Sequence, residues 1–84
     1  MHVELKRLDD AFHFEASNED GNTVMIDGSE AIGGKGLGAR PMQLLLMGIG
    51  GCSAIDIVSI LKKQKQVVTG FDISIDGERE VDVV

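Results

Sequence analysis

Hydrophobic and polar residues alternate with a period of two over most of the first 27 residues. The apolar positions fall in three stretches: Val3 and Leu5, then Phe12, Phe14 and Ala16, and finally Val24 and Ile26. Sequences rich in Asp, Asn and Gly separate these stretches, as expected for turns. A period of two with one polar face is typical of antiparallel strands. We therefore predict a β meander over residues 1–27.

Residues 28–41 form a loop by composition, because they hold five glycines and the only proline, Pro41. A long glycine-rich loop inside a small domain is usually functional or mobile. Its Gly33-Gly34-Lys35-Gly36 segment lacks the spacing and the following Ser or Thr of a Walker phosphate loop. We interpret Lys35 as a solvated loop charge.

The hydrophobic pattern changes to a helical period from residue 42 to about residue 66. Pro41 suits the first turn of a helix, and a kink is expected between Gly48 and Gly51. Apolar residues cover most of the circumference beyond Cys52 and leave only a narrow polar stripe. A helix this apolar is covered on most sides, so a second chain or a further segment is expected to pack on it.

The last part of the chain, residues 70–84, returns to alternation. Phe71, Ile73 and Ile75 alternate with polar residues, which predicts a fourth strand, and another strand is expected to begin in the tail. The predicted fold class is therefore α+β, with a β meander, one long central helix and a returning strand. With 84 residues in one domain, a single core is marginal, so we expect a homodimer or larger homo-oligomer.

Charge and composition exclude several classes of function. The formal charge of -6 argues against nucleic acid, which binds clustered Lys and Arg. The apolar run that starts at Leu44 is expected to be too short and too rich in glycine to span a membrane. A lone cysteine and no recognisable signal peptide predict a reducing, cytoplasmic setting. No Cys and His residues have zinc-ligand spacing, and we predict no metal and no cofactor.

Three interpretations compete for the segment from Gly48 to Ser53. It is a dinucleotide-binding fingerprint if residues 44–47 form a strand, with Asp72 placed to meet a ribose. It is structural if the glycines only allow close packing around a buried Cys52. It is a reactive site if a helix starts or restarts at Cys52. In that case Ser53 caps the helix at capping-box spacing from Asp56, and the helix end favours the thiolate.

The segment from Pro41 to Lys63, with its Gly51-Cys52-Ser53-Ala54-Ile55-Asp56 core, closely resembles the central helix of the OsmC/Ohr superfamily. The order of predicted elements resembles the N-terminal half of that family. The resemblance implies a peroxidase in which Cys52 attacks an organic hydroperoxide, becomes a sulfenic acid and is captured by a second cysteine. It also implies intertwined dimers whose sheets wrap paired central helices.

Two departures from the family pattern affect this interpretation. The family's second cysteine lies in a C-terminal half that this chain lacks. Gln43 stands where many members carry a glutamate that holds an arginine against the sulfur, and neither Arg40 nor Lys35 matches that arginine. The predicted function is a thiol-dependent organic hydroperoxide reductase with Cys52 as nucleophile and Gln43 lining its site. The alternatives are a non-catalytic assembly module and, ranked below it, a nucleotide-binding fragment.

Overall fold

A computed structural model describes residues 1–67 and 69–77 of the chain. Three strands, β1 (Val3–Arg7), β2 (Phe14–Asn18) and β3 (Thr23–Ile26), precede a short 3-10 helix at Glu30–Ile32 and one helix, α1 (Pro41–Lys63). The chain divides into two compact units, Met1–Leu44 and Leu45–Val84, which are described separately below. An antiparallel sheet followed by a long helix confirms the predicted α+β class.

The three strands form one antiparallel sheet in the order β1-β2-β3. Leu5 pairs with Ala16, which in turn pairs with Val24, so the predicted apolar positions lie next to one another across the sheet. In the turn between β2 and β3, the Asn18 side chain accepts hydrogen bonds from the backbone N–H groups of Asp20 and Asn22. Gly21 supplies the positive φ of +87° that this turn requires. The predicted meander is confirmed.

The glycine-rich loop folds back onto the end of β3. The Ala39 N–H donates to the Met25 carbonyl over 3.1 Å, and the Asp27 N–H donates to the Ala39 carbonyl over 3.0 Å. A Cβ atom at Gly38 would lie 2.5 Å from the Met25 carbonyl carbon, and one at Gly34 would overlap the Gly28 carbonyl. Glycine is needed at both positions because backbone passes against backbone there. Of the two expectations for this loop, functional or mobile, the hydrogen bonds favour a defined conformation.

Helix α1 runs without a break from Pro41 to Lys63 and includes the glycines at residues 48, 50 and 51. The Gln43 side chain accepts a hydrogen bond from the Arg40 N–H over 3.0 Å, which is one half of a capping box. Lys62 and Lys63 lie in the last turn, where cations complement the helix dipole. The predicted helix is confirmed, although it ends at Lys63 and not near residue 66.

The apolar side chains of α1 are largely exposed to solvent. Seven of them are more than 36% exposed: Met42, Leu45, Met47, Ile49, Ile55, Ile57 and Ile60. By length and composition alone, the 23-residue helix is long and apolar enough to cross a membrane. The expectation that this apolar run is too short was therefore wrong, because α1 contains an 18-residue stretch that is apolar enough despite its glycines. Core helices of soluble proteins meet the same criterion.

The segment after α1 was predicted to form a fourth strand, but residues 69–77 have no strand pairing. It packs along the helix instead: Ile75 contacts Gly50, the one buried residue of α1, and Gly77 lies next to Leu46. Alternation alone makes no strand, because a strand also needs a neighbour for its backbone N–H and C=O groups. The predicted tail from residue 78 onward lies outside the described residues.

Candidate functional site

Cys52 is the central residue of α1, and it is exposed. The reactive-site interpretation had required a helix that starts or restarts at Cys52, and α1 does not meet this condition because it begins eleven residues earlier. Each helical glycine costs only about 1 kcal/mol relative to Ala, which the rest of an apolar helix can offset. Ser53 and Asp56 are therefore interior helix residues and not a capping box. The effect of the helix dipole fades within the first turn, so it does not reach the middle of α1.

The dinucleotide interpretation is wrong. It required residues 44–47 to be a strand leading into a glycine turn, and these residues lie inside α1. The sheet in the described part of the chain is also antiparallel, whereas the fingerprint belongs to a parallel βαβ unit. Gly48 and Gly50, the two glycines that resemble the fingerprint, are interior residues of α1 and lie about 200° apart around its axis.

Gln43 and Cys52 are not brought together within one chain. They are nine residues apart on α1, which corresponds to about 13.5 Å along the axis and about 180° around it. The two side chains therefore leave opposite faces of the helix at different heights. The Gln43 carbonyl oxygen is also engaged by the Arg40 N–H at the helix start. Within one chain, Gln43 caps α1 and does not line the Cys52 site.

Asp27 organises the glycine-rich loop, a role that the sequence analysis missed. Its carboxylate accepts hydrogen bonds from the N–H groups of Gly28 (2.7 Å), Lys35 (3.2 Å) and Leu37 (3.1 Å). Asp27 is only 2% exposed and is the one fully buried side chain among the described residues. The Leu37 hydrogen bond leads the effects that lower its pKa below the ordinary value, although desolvation opposes them. The sequence signal for this role is an Asp that stands directly between a predicted strand and a glycine-rich loop.

A second acidic residue, Asp9, fixes the turn between β1 and β2. Its Oδ1 accepts from the N–H groups of Ala11 (2.9 Å) and His13 (3.2 Å). These bonds, led by the one from Ala11, lower the pKa of Asp9, and Lys35 adds to the effect. The Nζ atom of Lys35 lies 3.5 Å from Asp9 Oδ2 and 3.9 Å from Asp10 Oδ1. Lys35 is therefore an ion-pair partner of this turn, which corrects its interpretation as a solvated charge.

His13 directly precedes β2, and its Nε2 is buried and has no hydrogen-bond partner among the described residues. Its backbone carbonyl accepts from the Leu8 N–H, so the residue closes the same turn as Asp9. The described residues contain no cluster of three or more His, Cys, Asp or Glu side chains that could hold a metal ion.

A cleft of about 380 Å³ lies within the first unit. Three parts of the chain line it: the 3-10 helix, the glycine-rich loop and the first turn of α1. Its charged side chains are Glu30 and Arg40, and its other polar side chains are Ser29 and Gln43. Gly28, Gly36 and Gly38 present backbone without side chains. The cleft therefore combines charged and polar side chains with accessible backbone groups.

Comparisons with known proteins place these features in a family. Residues 33–83, more than half of the chain, match the family described as OsmC-like protein. The chain is 39% identical over 66 residues to Protein YhfA of Escherichia coli strain K12 and, equally, to Protein YhfA of Shigella flexneri. Each alignment covers 79% of this chain and 46% of the relative, so the chain spans about half the length of these curated relatives. The chain belongs to the family of OsmC-like proteins.

Proposed function

We propose that this protein is a thiol-dependent organic hydroperoxide reductase in which Cys52 is the nucleophile. The observation that carries the proposal is the exposed sulfur of Cys52 on the helix that matches the family. A cysteine that serves only to fill a core is usually buried. Gly51 supports the proposal because a Cβ atom there would meet nothing within 4 Å, so a substrate can approach beside the sulfur.

The proposed reaction begins with attack of the Cys52 thiolate on the terminal oxygen of a hydroperoxide. A sulfur–oxygen bond forms, the oxygen–oxygen bond breaks, and the leaving alkoxide takes up a proton to become an alcohol. Cys52 is oxidised to the sulfenic acid. A thiol then condenses with the sulfenic acid, forming a disulfide and releasing water, and a second thiol reduces that disulfide.

The thiols in the later steps come from outside these 84 residues, because Cys52 is the only cysteine among them. Their source is a small thiol or a cysteine that is not part of this sequence. Either source fits a reducing compartment, and we propose a cytoplasmic location on this ground. Turnover is expected to depend strictly on an added thiol.

The proposed site is completed by a second copy of the chain. Thiolate formation needs a nearby positive charge or hydrogen-bond donors, and the middle of α1 supplies no free backbone N–H groups. Gln43 lies on the opposite face of the same helix, so only the Gln43 of another chain can meet Cys52. Association would also cover the apolar side chains that α1 exposes. We therefore propose a homodimer or larger homo-oligomer as the active form.

The test is the rate of hydroperoxide consumption with cumene hydroperoxide and dithiothreitol. The wild-type chain should consume hydroperoxide faster than dithiothreitol alone, and the Cys52→Ser variant should not. Hydrogen peroxide, which lacks the organic group, should react more slowly. Equal rates for wild type and Cys52→Ser would exclude the reductase.

A non-catalytic assembly module is the second candidate, and the exposed apolar side chains of α1 favour it. In that function the helix binds another chain, and Cys52 only packs in the interface. The two candidates differ in one measurement, the access to Cys52 in the assembled state. A reductase keeps the sulfur open to iodoacetamide after assembly, whereas a packing role protects it.

A further inference from the structure

We propose that the cleft in the first unit binds a small zwitterion, with its carboxylate at Arg40 and its ammonium group at Glu30. Both side chains line the same cleft. Neither forms an ion pair with another residue in the described part of the chain. Two opposite charges on one cleft are complementary to a molecule that carries both signs.

Arg40 and Gln43 supply hydrogen-bond donors to the cleft. The Arg40 guanidinium group offers five N–H groups in a planar fork that matches a carboxylate. The Gln43 carbonyl oxygen is taken by the Arg40 backbone N–H, so its amide NH₂ group is left to donate. The Glu30 carboxylate, which also lines the cleft, accepts hydrogen bonds. Arg40 and Glu30 therefore prefer opposite groups of one ligand.

The cleft is large enough for a small molecule such as an amino acid. A volume of about 380 Å³ lies near the lower end of the range for ligand pockets. The lining contains one apolar side chain, Ala31, and three glycines. Cys52 is not among the lining residues, so the proposal does not depend on the reductase.

The loop that forms the cleft is held in place before any ligand binds. Asp27 ties Gly28, Lys35 and Leu37 to one carboxylate, and Gly34 donates to the Ser29 carbonyl over 2.9 Å. A binding site that is already ordered loses less conformational entropy on binding. Glu30 and Arg40 are both exposed, so water and salt weaken their attraction for a ligand. We expect a dissociation constant in the millimolar range.

The experiment is a titration of the full chain with L-alanine at low salt, followed by backbone amide NMR. Acetate and methylammonium, each with one of the two charges, serve as comparison ligands at matched ionic strength. Alanine should shift the amides of Gly28, Gly36 and Gly38, and each single-charge ligand should bind about tenfold more weakly. Added salt should weaken the alanine shifts.

Variants of Arg40 and Glu30 test whether each charge contributes to alanine binding. Arg40→Gln and Glu30→Gln should each weaken alanine binding about tenfold, while Arg40→Lys should keep part of it. Lys6→Gln, which removes an exposed cation on β1, is the control and should change nothing. Retained amide dispersion shows that each variant is folded. No shifts with alanine at about 100 mM, far above the expected millimolar range, would overturn the proposal. So would acetate binding as tightly as alanine, or wild-type affinity in Glu30→Gln.

Discussion

At the scale of single residues, Asp27 does the most to define the structure around it. Three backbone N–H groups converge on its carboxylate, and they come from positions 28, 35 and 37 of the loop. The glycines identify the loop in the sequence, but they do not identify Asp27 as the residue that orders it. Charge alone did not single out Asp27 among 14 acidic residues, because its role depends on long-range backbone geometry.

Replacing Asp27 with Asn should destabilise the loop. Asn keeps one carbonyl oxygen, but its NH₂ group would face N–H donors of the loop and leave a buried donor without a partner. We expect an apparent Tm several degrees lower and faster amide exchange at residues 28, 35 and 37. Asp20→Asn, in the exposed β2–β3 turn, is the matched control. Equal melting of Asp27→Asn and wild type would contradict the role assigned to Asp27.

The same residue predicts how stability depends on pH. The folded pKa of Asp27 lies below its ordinary value of 3.8, because backbone hydrogen bonds favour the carboxylate. Its contribution is therefore fully present above about pH 4 and is lost as the pH falls through the folded pKa. Asp9 has the same sign, with the Ala11 hydrogen bond as the leading cause of its lowered pKa. Urea unfolding between pH 2 and pH 6 should show a smaller loss of stability in Asp27→Asn than in wild type.

Cys52 is a second residue whose surroundings could be predicted only in part from the sequence. The motif around it identified the family correctly, and the sulfur is exposed as a reactive site requires. One interpretation depended on a helix that starts at Cys52, but α1 continues through the glycines before it, because the helix propensity of glycine is poor but not prohibitive. The sequence pattern identifies the residue, but its electrostatic surroundings depend on how the chain folds and assembles.

At the scale of secondary-structure elements, periodicity predicted the three strands and α1 within a few residues. It failed for residues 71–75, which alternate but have no strand pairing. The meander succeeds because each strand is adjacent to its partner in sequence, across a short turn. A strand that needs a distant neighbour depends on the whole fold, and the local pattern does not contain that information.

Replacing glycines of α1 with alanine should distinguish a helix without a partner from a helix that packs against another chain. Cβ atoms at Gly48 and Gly51 would meet nothing within 4 Å, so alanine fits both positions in one chain. In an isolated helix each change should stabilise by about 1 kcal/mol. If a partner helix packs closely there, the same changes should instead weaken association. Gly50→Ala is the comparison, because its Cβ would press on Ile75 within the same chain.

Thermal melting at two protein concentrations, together with sedimentation, measures both effects. Our proposal predicts that Gly48→Ala or Gly51→Ala weakens the assembly while helix content stays the same. A higher Tm with unchanged association would show that no partner approaches these glycines.

At the scale of the whole molecule, the main feature is the lack of an apolar core among the described residues. No hydrophobic side chain is buried there, and apolar side chains of α1 face solvent. A fold with so little buried apolar surface needs additional burial to be stable, and exposed apolar surface is a typical sign of an interface. The apolar circumference of α1 already predicts from the sequence that this helix packs against a partner. The sequence of one chain does not identify that partner.

We therefore predict that the chain sediments as a dimer or larger assembly at micromolar concentration. Ile55, at 71% exposure, is the most exposed isoleucine of α1, and Ile55→Lys should weaken association at least about tenfold because a buried charge is costly. Val3→Lys, an equally drastic change on β1, is the control. A folded wild-type monomer would contradict the prediction. Partition of the chain into neutral phosphatidylcholine vesicles would instead show that α1 binds lipid.

The central claim concerns the chemistry of Cys52, and mass spectrometry tests it most directly. The assembled chain receives one equivalent of cumene hydroperoxide and is then trapped with dimedone, which labels sulfenic acids. The wild-type chain should carry dimedone at Cys52, and adding a small thiol before dimedone should give a mixed disulfide instead. Cys52→Ser should carry neither product. A wild-type chain without added oxygen, dimedone or a disulfide at Cys52 would contradict the account.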